Sequence, residues 1–298
     1  MSIVEKAAEK LKALPPESDA SPPVETRPRP SAPTVERLQE RSHLVDRPAE
    51  SEPVCHVDPV ALKRMGMVPA DVEAERRLAD ELRRVKRPLL NNAIGKGAEA
   101  FVRGMRIVVT SAEAGEGKTF AAVNLALSLA RETDFEVLLV DGDIPKADIT
   151  RIFGLRGKPG LMDVLADEQL APTEVIVRTD VPNLLVVPAG ERHPLAAELF
   201  RSRRMEYVLD ELAGRNRRRL LVFDSSPLLA TSESQVLVSH MGQVVMVVAA
   251  GRTRRQAVNS ALQSLNEFQY VGLVLNMSRL PAGENYYDSS YENYSQSR

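Results

Sequence analysis

The run Ala112-Glu113-Ala114-Gly115-Glu116-Gly117-Lys118-Thr119 places two glycines, a lysine and a threonine directly behind an apolar stretch at 107–110. These residue types suit the handling of a polyphosphate. Gly115 and Gly117 let the backbone curl so that its N–H groups converge on phosphate oxygens. A helix opening at this point adds the positive end of its dipole. Lys118 can reach the β- and γ-phosphates, and the Thr119 hydroxyl can ligate Mg²⁺. The spacing Ala112-x4-Gly117-Lys118-Thr119 is that of a P-loop with alanine at its first small position. Ala114, Gly115, Glu116, Gly117, Lys118, Thr119 and Phe120 are therefore the expected nucleotide-binding segment. The competing reading, a glycine-rich turn that merely contains a lysine, does not account for the strand–loop–helix context.

Chemistry on a bound nucleotide also needs carboxylates beside the metal, and parallel strands deliver side chains at their C-terminal ends. VLLVDGD ends in Asp141 and Asp143, and RLLVFDSSP ends in Asp224. Asp224 suits the Walker B carboxylate that holds Mg²⁺ through water. Asp141 and Asp143 make a second acidic pair beside the same phosphates. A lone Asp after an apolar strand is ordinarily a turn or cap residue; three at successive strand ends of one P-loop domain are not.

The elements that must position these groups follow from short apolar runs at 107–110, 137–140, 184–187, 220–223, 244–249 and 272–275, with helical stretches at 119–131, 195–213 and 254–268 between them. Continuous apolar runs of this length are strands buried on both faces. Their alternation with helices predicts an α/β fold, a doubly wound, mostly parallel sheet of the P-loop NTPase type. Upstream, a helix is expected at 70–86 and stops before Pro88. Residues 1–14 have the spacing of an amphipathic helix, 15–69 read as a flexible Pro-rich linker, 70–280 as the P-loop domain and 281–298 as a solvated, tyrosine-rich tail. Linker and tail are both expected to be disordered.

Composition narrows the partners. The 298 residues are 43% hydrophobic, enough for a packed core, and carry a formal net charge of -2, which offers no global attraction to nucleic acid or anionic lipid. The basic cluster Arg215, Arg217, Arg218 and Arg219 has no aromatic interleaving and reads as a solvated turn, so no nucleic-acid partner is expected. The single cysteine, Cys55, excludes an internal disulfide and fits a reducing compartment. MSIVEKAAEK carries charges where a signal peptide needs an apolar stretch, and the run at 244–250 falls short of the roughly 20 residues that span a bilayer. These features predict a soluble, intracellular protein.

From about residue 79 onward the chain resembles the bacterial tyrosine kinases (BY-kinases), in particular the autokinases associated with exopolysaccharide loci of the exosortase type. TSAEAGEGKT, LLVDGDIPKADITRIFG, LLVFDSSPLL and a terminal tyrosine cluster carry the resemblance by their order and spacing. It implies ATP and Mg²⁺ as ligands, with Lys118, Asp141 and Asp143 catalytic and Thr119, Asp141 and Asp224 at the metal. Asp141 would also help to activate the attacking tyrosine hydroxyl, and Asp143 would support metal or water. The sequence departs from the family pattern at Ile144-Pro145-Lys146, where an arginine is usual and Lys146 can supply the charge. Asn276, after GLVLN, stands where related ATPases contact adenine; a strand-end cap is the other reading. His193, in PAGERHPLAAELF, has no second ligand at metal spacing and reads as structural.

Many BY-kinases carry Glu-x2-Arg-x2-Arg on a helix that packs against the next subunit of a ring. LADELRRVKRPLL offers two registers: Asp80, Arg83 and Lys86 align better with the flanking apolar residues, while Glu81, Arg84 and Arg87 match the letters. We assign the first to oligomerisation; a merely solvated charged face is the alternative. The resemblance further implies a membrane activator of the chain-length-determinant type, an opposing tyrosine phosphatase, and a cytoplasmic chain held peripherally at the inner membrane through its partner. The segment 3–14 is a candidate docking helix.

Tyr286, Tyr287, Tyr291 and Tyr294 follow the last strand beside Glu284, Asp288 and Glu292. Core packing does not explain tyrosines in a stretch without apolar period. They read as phosphoacceptors modified by a neighbouring subunit, or else as rings that dock on a partner. A different class of function remains open, a partitioning or positioning ATPase that switches with nucleotide. Those relatives carry a signature lysine in the loop where this chain has Glu113. A catalytically weak scaffold is a third reading.

Overall fold

Strands β1 (Arg106–Ser111), β2 (Glu136–Gly142) and β5 (Arg219–Ser225) are buried along almost their whole length, as strands covered on both faces must be. The structure, a computed structural model, describes residues 54–69, 71–95, 103–214, 218–268 and 270–278. The expected helix at 3–14, the linker up to residue 53, the tyrosine tail, and Arg215 and Arg217 lie outside the described residues. With β3 (Val177–Arg178), β4 (Leu184–Val187), β6 (Gln243–Ala249) and β7 (Val271–Asn276) the strands form one sheet in the order β3-β4-β2-β5-β1-β6-β7. Only β3 runs antiparallel, against β4. The doubly wound, mostly parallel architecture expected from the apolar runs is the one observed.

Side chains of successive strand residues go to opposite faces, and each face has its own core. Ile107, Val109, Val137 and Leu139 pack with helices α1 (Pro59–Arg64), α2 (Val72–Ile94), α3 (Lys118–Ala130) and α4 (Asp148–Ile152). Val108, Leu138 and Val140 pack with α5 (Leu161–Ala166), α6 (Ala196–Arg201), α7 (Arg203–Ala213), α8 (Ser232–Ser239) and α9 (Arg255–Gln263). No helix among the described residues is long and apolar enough to cross a membrane.

Local differences from the sequence expectation have physical causes. Helix α2 does not stop before Pro88 but runs through it to a left-handed cap at Gly95. A proline inside a helix costs about 3 kcal/mol. Here it is offset by tertiary contacts on both sides, with Leu89 fully buried and Lys86 hydrogen-bonded to the Ser128 carbonyl. The single helix expected at 195–213 is two, divided at Ser202, whose backbone is extended and whose hydroxyl donates to the Leu199 carbonyl.

Residues 54–69 were expected within the linker, yet they are packed. Cys55 pairs with the β3 edge at Thr179, and Val57 and Leu62 are buried. Asp58 caps the short helix α1 by accepting from the Val60 N–H at 2.8 Å, with Pro59 at its first position. Two apolar anchors in a polar stretch leave no periodic trace, which is why the composition of the segment concealed them.

Gln243, at the start of β6, is fully buried and ties three elements together. Its amide donates to the Leu89 and Gly104 carbonyls at 3.0 and 2.6 Å, and its oxygen accepts from Asn92 at 2.9 Å. Gln243→Leu keeps the volume but strands those partners, so urea denaturation should show a loss of about 1–3 kcal/mol.

Candidate active site

The loop after β1 owes its course to two glycines in the left-handed region, Gly115 at φ 80° and Gly117 at φ 90°. Gly117 has a second reason to lack a side chain, since a Cβ there would lie 2.1 Å from the Asn276 amide nitrogen. That amide donates to the Glu116 carbonyl at 2.9 Å, so β7 braces the loop directly. Helix α3 then opens at Lys118 without a side-chain cap, leaving its first N–H groups available to an anion.

Two adjacent parallel strands, β2 and β5, bring the acidic residues to the same place. The β2–β5 register sets Asp141 beside Asp224, and β1 lies on the other side of β5. Thr119 donates to Asp224 Oδ2 at 2.6 Å. Asp141 Oδ2 accepts from both the N–H and the hydroxyl of Thr150, at 2.8 and 2.7 Å. Asp143 Oδ1 accepts from the Ser226 hydroxyl at 2.7 Å, while its Oδ2 lies 3.8 Å from Lys118 Nζ. Lys118 and all three aspartates are buried.

One oxygen of each carboxylate, Asp141 Oδ1, Asp143 Oδ2 and Asp224 Oδ1, is buried without a hydrogen-bond partner. Burial pushes the Asp224 carboxyl up to about 8, with Thr119 and Lys118 opposing and Asp141 and Asp143 adding to the rise. Burial likewise pushes Asp141 up to about 6, against the two Thr150 hydrogen bonds and with the help of the Asp143 and Asp148 charges. Orphaned hard oxygens beside a threonine hydroxyl fit a divalent cation such as Mg²⁺. Among the described residues no three His, Cys, Asp or Glu side chains form a metal cage by themselves.

A cavity of about 440 Å³ adjoins the loop, lined by Gly117, Lys118, Phe120, Lys146, Asn276 and, from the segment before α2, Met67. A larger hollow of about 560 Å³ at the β3 edge includes no residue of the loop, whereas the smaller cavity is walled by Gly115, Gly117, Lys118 and Thr119. Asn276 lines it as well as bracing the loop. Lys146, at the family's arginine position, lines it too.

Nothing in the motif marks Glu116 as more than one member of the nucleotide-binding segment. It is buried, accepts from the Glu113 N–H at 2.6 Å, and accepts from the Thr253 hydroxyl on the loop after β6. Thr253 was not singled out either, because nothing in its spacing marks a contact with a residue 137 positions away.

The set assigned to oligomerisation does not form one surface. Asp80 and Arg83 pair with each other in solvent. Lys86 instead turns onto its own chain, 12% exposed, with its ammonium 2.6 Å from Glu132 and 3.0 Å from the Ser128 carbonyl. Helical spacing alone cannot tell an outward from an inward lysine when the stem is apolar. Glu81, Arg84 and Arg87, the other register, are all exposed. His193 accepts from the Leu195 N–H at 3.2 Å.

Comparison with known proteins agrees with this geometry. A family model described as an AAA domain matches residues 104–274. The tyrosine-protein kinase YwqD of Bacillus subtilis is 28% identical over 193 residues, covering 64% of this chain and 80% of that protein. The putative tyrosine-protein kinase EpsB of Ralstonia nicotianae is 30% identical over 167 residues, 56% of this chain but 21% of that much longer protein. The kinase domain of the Escherichia coli tyrosine kinase ETK superposes with a TM-score of 0.56 at 24% identity, over 85% of this chain and 90% of that one, a likeness of fold. A phosphate loop facing a Walker B aspartate and a second acidic pair, on this sheet and with these relatives, places the chain in the AAA domain family and within it among the bacterial tyrosine kinases.

Proposed function

We propose that the chain is an ATP-dependent tyrosine autokinase whose substrate is its own tail, Tyr286, Tyr287, Tyr291 and Tyr294, modified in trans within a homo-oligomer. The observation that carries the reading is the group of three buried carboxylates, each with one oxygen unpartnered, beside Lys118 and Thr119 of a phosphate loop. Lys118, the loop amides and the opening turn of α3 hold the β- and γ-phosphates. Thr119, Asp224 and Asp141 would hold Mg²⁺, which when bound neutralises charge on the phosphate oxygens. The tyrosine oxygen forms its bond to the γ-phosphorus as the bond to the β–γ bridging oxygen breaks, and ADP departs with that electron pair. Asp141 takes the phenolic proton and returns it to water, and Asp143 orients the same centre. A phenol has a pKa of about 10, so a carboxylate placed beside it helps it attack at neutral pH.

Asn276 fits an adenine contact from its place in the cavity wall. The exposed face of Glu81, Arg84 and Arg87 replaces the Lys86 register as the subunit contact. Each phosphate adds about 1.5 to 2 negative charges to an acidic segment, which would repel neighbouring tails and loosen the assembly. The family resemblance supports a role in exopolysaccharide synthesis or export, a membrane activator that holds the cytoplasmic chain at the inner membrane, and an opposing phosphatase.

Intact mass after incubation with Mg-ATP tests the reading. Wild type should gain up to four phosphates, and none should be gained by Lys118→Met or by the variant with all four tail tyrosines changed to Phe. ATP hydrolysis without mass gain, in the presence of a membrane activator, would mean a switch ATPase instead.

The buried aspartates predict a pH dependence in the nucleotide-free, chelator-treated protein. Asp224 and Asp141 bind protons more tightly folded than unfolded, so unfolding releases protons between about pH 4 and pH 8, and stability falls as pH rises through that window. Urea midpoints should drop from pH 5 to pH 8.5 in wild type and drop less in Asp224→Asn. An unchanged slope in that variant would contradict the burial argument.

A further inference from the structure

The nucleotide cavity does not say where an acceptor tyrosine sits. After β2 the chain makes a tight turn in which the Lys146 and Ala147 N–H groups both donate to the Asp143 carbonyl, at 3.0 and 2.7 Å. Lys146 lines the nucleotide cavity. Ile144 and Pro145 of the same turn line a separate hollow of about 160 Å³, which shares no lining residue with that cavity. Gly142, between the two acidic residues, and Ser226, which donates to Asp143 Oδ1, form its wall toward the catalytic centre. Residues of the turn that follows Asp143 thus line both spaces. A void of about 150 Å³ holds one benzene ring, so this hollow has room for a single aromatic side chain.

Its rim carries polar groups with no part in nucleotide binding. Arg192 is exposed and its guanidinium donates to the Pro145 carbonyl. His193 Nδ1 accepts from the Leu195 N–H, and its ring lines the hollow. Glu233, in the first turn of α8, is the carboxylate of the wall. It can accept from a phenolic O–H and keeps other carboxylates out of the hollow itself. The tail's acidic residues flank its tyrosines closely: Glu284 is two positions before Tyr286, Asp288 directly follows Tyr287, and Glu292 directly follows Tyr291.

We propose that this hollow seats the acceptor tyrosine of the segment 284–294, and that Arg192 and His193 select acceptors flanked by carboxylates. The inference rests on the kinase reading and adds to it the residues that recognise the acceptor. Arg192 is a natural partner for such a flank, because a guanidinium meets a carboxylate with paired hydrogen bonds.

The test uses the full chain with its four tail tyrosines changed to Phe as enzyme. The acceptors are a peptide of sequence 283–295 and its neutral counterpart with E284Q, D288N and E292Q. Wild-type residues at the hollow should give the acidic peptide a KM about five- to tenfold lower than the neutral one. Arg192→Ala should erase that difference with little change in KM for ATP, and Arg192→Lys should restore part of it. A merely structural role, through the bond to Pro145, would slow both peptides alike, and that result would overturn the proposal. So would an unchanged peptide KM in a folded Ala196→Leu variant, which fills the hollow. Turnover of neither peptide would refute the kinase reading. Fluorescence anisotropy of the labelled acidic peptide then decides the seat separately, binding lost in Arg192→Ala supporting it and binding independent of Arg192 overturning it.

Discussion

The register between β2 and β5 is the constraint on which the site depends. It sets Asp141 opposite Asp224 and Gly142 opposite Ser225 at the C-terminal ends of two adjacent parallel strands. A shift by one residue would turn every side chain of β2 to the other face, sending Asp141 into an apolar layer. The approach is close enough that a Cβ on Gly142 would come within 2.7 Å of the Asp224 carbonyl oxygen. Around that pair the remaining contacts are each forced. Thr119 meets Asp224, Thr150 holds Asp141, and Thr150 is in turn fixed by the Ala189 N–H at 2.8 Å after β4. Four neighbouring strands therefore converge on two carboxylates.

Three buried aspartates facing one lysine are an unbalanced charge set, and a fold selected for stability alone would not contain it. Burying an unpaired carboxylate is costly, and the group responds by holding its proton. Burial accordingly raises the carboxyls of Asp224 and Asp141 above the usual carboxylate range. A divalent cation held by Thr119, Asp224 and Asp141 would offset that charge and favour the ionised carboxyls. Part of that cost would be recovered on binding a metal–nucleotide complex. The loop is stiffened for the same task, Glu116 being held by Thr253 and Asn276 so that its amides need little reorganisation when phosphate arrives.

The parts of this arrangement that could be read from the residues are those governed by short-range periodicity. Continuous apolar runs gave the parallel strands, and Lys118, Thr119, Asp141, Asp143 and Asp224 were legible because a loop glycine or a strand end fixes their place locally. Lys86 was not, because a lysine's stem can bury while its ammonium finds Glu132 and the end of α3. Pro88 was misleading for a related reason: Leu89 and Gln243 hold the helix where local propensity would end it. Glu116 and Thr253 were invisible because their contact is made only after β1 and β6 pair. The packing of 54–69 depends on a β3 edge of two residues, too short to announce itself.

Helix α3 connects these scales. Its first residues, Lys118 and Thr119, lie against Asp143 and Asp224, and in its middle Asn124 donates to the Met67 carbonyl at 2.6 Å, holding a segment that lines the cavity beside the loop. At its far end Lys86 of α2 donates to the Ser128 carbonyl, where the negative end of the helix dipole favours an ammonium. Thirteen residues of helix span about 20 Å, and over that length the phosphate site, the cavity wall and the base of α2 are joined to one rigid element. The charged outer face of α2 is thus two contacts from the phosphate loop. A neighbour bound to that face would act on a helix already clamped to the one that opens at Lys118, so the proposed subunit contact and the phosphate loop would share one mechanical support.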